Sequence, residues 1–182
     1  MQAFDSLSRD IQQYIYDKGW PSLTHIQNAA IKQVANTDHN LILSAPTASG
    51  KTEAAFIPAL NSVEDWDTGL KVLYISPLKA LINDQFQRIS ELSAYLDIPI
   101  TPWHGEVSQA QKKKVVNQPK GILLITPESI EGMLVNRPGK AQHLFKGVEW
   151  IIIDELHSFL GTERGVHLQS LLQRISQFMQ AP

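Results

Sequence analysis

Val148-Glu149-Trp150-Ile151-Ile152-Ile153-Asp154-Glu155-Leu156-His157 is a short apolar run that ends in two adjacent carboxylates. Runs this short and this apolar read as strands buried on both faces, the pattern of a parallel sheet. Similar runs occupy 40–44, 70–76, 98–102 and 121–126. The stretches between them, 51–66, 78–95, 107–116 and 128–135, have the length and periodicity of crossover helices. The expected fold is therefore α/β, a doubly wound and mainly parallel sheet. Two helices, 6–18 and 24–35, precede the first strand, the first opened by a Ser or Asp cap and closed near Gly19. A final amphipathic helix gathers Val166, Leu168, Leu171, Leu172, Ile175 and Phe178 on one face, expected to be core.

In open α/β sheets ligands gather at the C-terminal ends of the strands, which is where Asp154 and Glu155 fall. Asp154 is suited to hold Mg²⁺, directly or through water, and Glu155 to orient and deprotonate an attacking water. Taken alone, the pair is equally a solvated strand end. A second motif changes the balance. Ala45-Pro46-Thr47-Ala48-Ser49-Gly50-Lys51-Thr52 follows an expected strand and opens an expected helix, the setting of a phosphate-binding P-loop. Backbone N–H groups and the helix N-terminus can wrap phosphates, Lys51 can neutralise the β and γ groups, and the Thr52 hydroxyl can ligate Mg²⁺. Ala45 stands where the first glycine of the pattern usually falls, and Ala48 replaces another glycine common inside such loops.

Composition narrows the rest. The chain has 182 residues, enough for one domain, and 43% are hydrophobic. With no cysteine, disulfides, thiolate zinc sites and thiol nucleophiles are excluded. A net charge of −2 argues against holding nucleic acid by bulk electrostatics, so any strand contact must come from placed amides and a few side chains. No apolar run approaches the ~20 residues of a membrane span. Met1-Gln2-Ala3-Phe4-Asp5 lacks a secretory pattern, so the expected location is cytoplasmic with no membrane partner.

Asp154-Glu155-Leu156-His157 resembles motif II of the DExH members of superfamily 2 helicases, and 45–52 resembles their motif I. Further stretches follow the same family. Gly19-Trp20-Pro21-Ser22-Leu23-Thr24-His25-Ile26-Gln27, with Phe4 upstream, resembles the Q motif, which implies that Gln27 reads the adenine edge and Phe4 stacks on the base. His25 stands where the family usually has proline. Ser76-Pro77-Leu78-Lys79-Ala80-Leu81-Ile82-Asn83-Asp84-Gln85 resembles motif Ia, and Thr126-Pro127-Glu128-Ser129 resembles motif Ib. Trp103-His104-Gly105-Glu106 and Gly161-Thr162-Glu163-Arg164-Gly165-Val166-His167-Leu168 extend the likeness to the large helicase-related (Lhr) group.

The resemblance implies a RecA-like domain, 1–182, in which 1–39 is a helical Q-motif segment. It implies ATP and Mg²⁺ as ligands: Phe4, Gln27, Ala45, Pro46, Thr47, Ala48, Ser49, Gly50, Lys51 and Thr52 around the nucleotide, Thr52 and Asp154 on the metal, and Lys51, Asp154 and Glu155 in catalysis. Nucleic acid, single-stranded DNA before RNA, would meet Pro77, Lys79, Gln85, His104, Gly105, Thr126, Pro127 and Glu128. The family's motifs III to VI do not occur before Pro182. The expectation is therefore that the sheet lacks the motif III strand, leaving a gap or a repacked edge, and that a second RecA-like domain, normally in the same chain, is absent. A non-catalytic nucleotide- and nucleic-acid-binding module is the alternative.

Residues outside the motifs read more plainly. Thr126 is also a helix cap and Lys79 a surface charge. Lys112-Lys113-Lys114 reads as a solvated helix face, because consecutive side chains diverge. His157 either links the nucleotide site to the strand surface or caps a helix. Arg164, in a Gly-flanked turn, suggests a domain interface.

Overall fold

A computed structural model describes residues 3–46 and 49–179, which form two compact units, Met1–Glu64 and Asp65–Pro182. In the first, α1 (Arg9–Asp17) begins at Ser8, whose hydroxyl accepts the Ile11 N–H at 3.4 Å. It stops before Gly19, whose φ is +64°. The next helix, α2 (His25–Asn36), opens on a capping box. Thr24 Oγ1 accepts the Gln27 N–H at 3.4 Å and Gln27 Oε1 accepts the Thr24 N–H at 2.9 Å. His25 is the first helical residue, a position where proline is favoured but not required, so the departure from the family leaves the turn intact. Helix α3 (Lys51–Ser62) packs on α2, and Asn61 bridges it to the start of α1. Its Oδ1 accepts the Ser8 N–H at 2.7 Å and its amide donates to the Ser6 carbonyl at 3.2 Å.

The strand expected at 40–44 is not formed. Residues 40–44 alternate between exposed and half-buried, with Ile42 81% exposed, and pair with no strand among the described residues. A strand exists only through a neighbour's ladder, and the local pattern alone cannot supply one.

The second unit carries β1 (Gly69–Ile75), α4 (Lys79–Tyr95), β2 (Ile100–Trp103), α5 (Gln109–Asn117), β3 (Lys120–Ile125), α6 (Pro127–Asn136), α7 (Pro138–Phe145), β4 (Trp150–Ile153) and α8 (Glu163–Ser176). All four strands are parallel, in the order β2-β3-β1-β4. Thus β4 pairs with β1.

Period-two alternation sends Leu73, Ile75, Leu123 and Ile125 to one face, where Ile130, Leu144, Phe145, Leu168, Leu171 and Ile175 of α6, α7 and α8 bury them. On α4, which packs against β2 and β3, the buried residues Ile82, Ile89 and Leu92 fall outside that cluster and supply the second layer.

Two details depart from the sequence reading. Helix α7 was not expected. Arg137, at φ −147°, breaks the helical path because it precedes a proline, and Pro138 then starts a new helix at its first position. Val166 is not core: it is 70% exposed, about 200° around α8 from Leu168. In the same helix Gly165 is obligatory, since an added Cβ would lie 2.0 Å from the Phe159 carbonyl oxygen.

Candidate functional site

In the first unit Ser49 and Gly50, from the expected phosphate loop, lead directly into α3. Gly50 caps the helix in a left-handed conformation, φ +83°, which glycine adopts without steric cost. A Cβ there would meet Gln27 Nε2 at 2.4 Å. Gln27 is buried and both ends of its amide are engaged, Oε1 in the capping box and Nε2 donating to the Gly50 carbonyl at 3.4 Å. Gln27 is thus tied to both Thr24 and Gly50. Lys51 is exposed, Thr52 and Phe4 are half-buried, Ala45 is half-buried and Pro46 exposed. The hydroxyl of Ser49 is buried without a hydrogen-bond partner among the described residues. Thr47 and Ala48 lie outside the described residues.

In the second unit the register aligns the chemistry. Trp103 is level with Ile125, Ile125 with Ile75, and Ile75 with Ile153. The residues that follow, His104, Thr126, Ser76 and Asp154, therefore stand in a row along the C-terminal rim of the sheet. The Ser76 N–H bonds the Ile125 carbonyl at 3.0 Å, and the Asp154 N–H bonds that of Ile75 at 2.9 Å. His104, Gly105, Thr126, Pro127, Glu128, Pro77, Lys79, Asp154 and Glu155 are all brought to this rim or to the first turns beyond it. Gln85 is different: with Ile82 and Ile89 it lies on the inward side of α4, its Oε1 buried without a hydrogen-bond partner among the described residues.

Asp154 is held on two sides. Its Oδ1 accepts the Glu155 N–H at 2.9 Å, and its Oδ2 accepts the hydroxyl of Tyr74 on the neighbouring strand. Burial, and then the Asp154 charge, push the Tyr74 phenol far above its ordinary value, so it stays protonated and donates. Each carboxylate oxygen keeps free lone pairs, so Asp154 suits a hydrated Mg²⁺, which usually takes only one or two protein carboxylates. No cluster of three potential metal-ligating acids or histidines exists among the described residues. Glu155 sits in the left-handed region at φ +48°, and its carboxylate is 3.3 Å from His157 Nδ1. His157 therefore pairs with Glu155 in a short 3₁₀ turn.

Two helices, α4 and α6, begin at this rim. The first turn of α4 has no side-chain cap, whereas Thr126 Oγ1 accepts the Ser129 N–H at 3.4 Å and caps α6. Lys79 is ion-paired with Glu106, both well exposed. Burial, then the Lys79 charge, lower the pKa of His104, keeping it neutral over a wider range. Arg164 joins the two motifs physically. It donates to the Pro77 carbonyl at 2.9 Å and to Glu128 at 2.7 and 3.0 Å, and lies 5.4 Å from the Phe159 ring centre. Neither Tyr74 nor this use of Arg164 follows from the sequence motifs. A phenol within the mainly apolar run 72–75 is the one available signal for Tyr74.

A parallel α/β sheet carrying paired acids at its C-terminal rim, with a glycine-capped helix after the expected phosphate loop, fits the RecA-like class. Residues 24–181 match the DEAD/DEAH box helicase family, and the chain belongs to that family. Several relatives are of Lhr type. The chain is 29% identical to ATP-dependent helicase Lhr-Core of Methanocaldococcus jannaschii over 97% of its own length and 22% of that protein's. It is 34% identical to the Lhr helicase/uracil glycosylase of Escherichia coli over 86% of its length and 11% of that protein's. The solved structure of Mycobacterium smegmatis helicase Lhr bound to ssDNA and AMP-PNP superposes with a TM-score of 0.86 at 28% identity, covering 100% of this chain and 24% of that one. The chain thus spans less than a quarter of the length of these two curated relatives. No helix among the described residues is long and apolar enough to cross a membrane.

Proposed function

We propose that the chain is the N-terminal ATP-binding motor domain of an ATP-dependent superfamily 2 helicase or translocase, acting on nucleic acid and preferring single-stranded DNA. The observation that carries this reading is the row His104, Thr126, Ser76 and Asp154 along one sheet rim, with paired acids at one end and the N-termini of α4 and α6 beside it. Lys51, Thr52 and the amides of 45–50 take the triphosphate. Thr52 and Asp154 take Mg²⁺, which when bound would neutralise charge on the phosphate oxygens. Glu155 orients and deprotonates the water, and Gln27, through Gly50, reports the state of the loop. Pro77, Lys79, His104, Gly105, Thr126, Pro127 and Glu128 take the strand through backbone amides and a few polar groups. Such a surface suits a chain with a net charge of −2.

In motors of this superfamily a second RecA-like domain contributes arginines to the transferring phosphate, an effect worth ~10³–10⁵ in rate. These 182 residues alone are therefore expected to bind Mg·ATP weakly and hydrolyse it slowly. A single-turnover assay with protein in excess over ATP tests the assignment. Glu155→Gln should slow hydrolysis by about 10²–10⁴ while leaving nucleotide and DNA binding intact. Equal rates in the two proteins would contradict it.

A further inference from the structure

Away from the motif row, α5 and the α6–α7 junction enclose a groove of about 350 Å³. Its lining includes Trp103, Lys112, Lys113, Ser129, Arg137 and Lys140. It shares Lys113, Arg137 and Lys140 with a wider depression of about 740 Å³, and no carboxylate lines either. None of these four cations makes an ion pair among the described residues. Lys112 Nζ lies 5.6 Å from the centre of the Trp103 ring. The three consecutive lysines do diverge, as their spacing requires, but two of them converge with cations that α7 brings from elsewhere in the sequence. A carboxylate-free groove with four cations, in a chain of net charge −2, is a local field of one sign.

We infer that this groove is a second nucleic-acid subsite, holding the phosphodiester backbone of the strand beyond the motif row and offering Trp103 to a base. The inference rests on the proposed function, because the groove continues the same path. Trp103 immediately precedes His104, and Ser129 Oγ accepts the Thr126 hydroxyl at 3.2 Å. Cations that track phosphates beside an aromatic that accepts a base are the recurring elements of single-strand binding. The positive charges of Lys79 and Lys112 both act on His104, which ties the groove electrostatically to the row.

Fluorescence anisotropy with single-stranded oligonucleotides of about 4 and about 16 nucleotides, over a range of salt, tests this. The triple variant Lys113→Ala, Arg137→Ala, Lys140→Ala should bind the long oligonucleotide at least tenfold more weakly than wild type. Its slope of log affinity against log salt should be shallower by about 2, since each single-strand phosphate left unneutralised removes about 0.7. The short oligonucleotide and Mg·ATP should bind as before, and thermal melting should be unchanged. Lys114→Ala, on the same helix but outside the groove, should leave the slope alone. An unaltered slope in the triple variant, or an equal loss in Lys114→Ala, overturns the subsite while leaving the proposed function standing. A loss confined to polyglutamate, with DNA binding intact, reassigns the groove to an acidic protein segment and overturns it too. Failure of wild type to bind either oligonucleotide removes both readings together.

Discussion

Glu155 occupies backbone territory that a side chain with a Cβ enters at a cost of about 1–2 kcal/mol, at φ +48°. Asp97 is the other non-glycine residue with positive φ among those described, and it lies in the connection from α4 to β2. Strain at a proposed catalytic carboxylate is an exchange of stability for position. Glu155→Gly should therefore raise stability by about 1 kcal/mol in urea unfolding while abolishing hydrolysis. A loss of stability would show that the αL geometry is not strained. The neighbouring Asp154 is legible in the sequence as an acid at a strand end. Its Tyr74 partner is not, because the bond depends on strands 80 residues apart lying side by side. Gln27 is legible as a motif residue, but its engagement with Gly50 depends on the same kind of long-range approach.

Among the elements, most helices are legible because their apolar stripes, and in five of them their side-chain caps, are local. Ser8, Thr24, Ser108, Thr126 and Thr162 all cap helices through their side chains. The strand expected at 40–44 fails for the complementary reason, since its pattern is local but a strand's existence is not. The packing of α6 against α8 adds an electrostatic latch. Glu131 accepts from Arg174 Nη1 at 3.0 Å and pairs with His167 Nε2 at 2.8 Å. The hydrogen bonds from Arg174 and then His167 hold its carboxyl at about 2 instead of 4.5. A depressed carboxyl contributes stability above its unfolded value and loses it as pH falls through the folded one. The stability difference between wild type and Glu131→Gln should thus be full above pH 4.5 and vanish towards pH 2. Denaturant titrations across that window check it, and a difference independent of pH would contradict it. The latch is part-exposed, so its full contribution is modest.

At the scale of the whole molecule, the two units divide the proposed chemistry between them. The phosphate loop and Gln27 belong to Met1–Glu64, whereas the acids and the strand-facing row belong to Asp65–Pro182. The fold class is legible from strand and helix order, and the rim from which residues end each strand. Neither pattern in the sequence reveals the basic groove, which assembles Lys112 and Lys113 with Arg137 and Lys140 only after α7 turns back at Pro138. The proposed function assigns both Lys51 and Asp154 to Mg·ATP, and this assignment is open to direct test. A double-mutant cycle in Mg·ATP affinity, with Lys51→Ala, Asp154→Asn and the pair, measures it directly. Joint service predicts a coupling of about 0.5–3 kcal/mol, with Asp154→Asn mattering far less once Lys51 is gone. Losses that simply add, to within about 0.5 kcal/mol, would contradict the account.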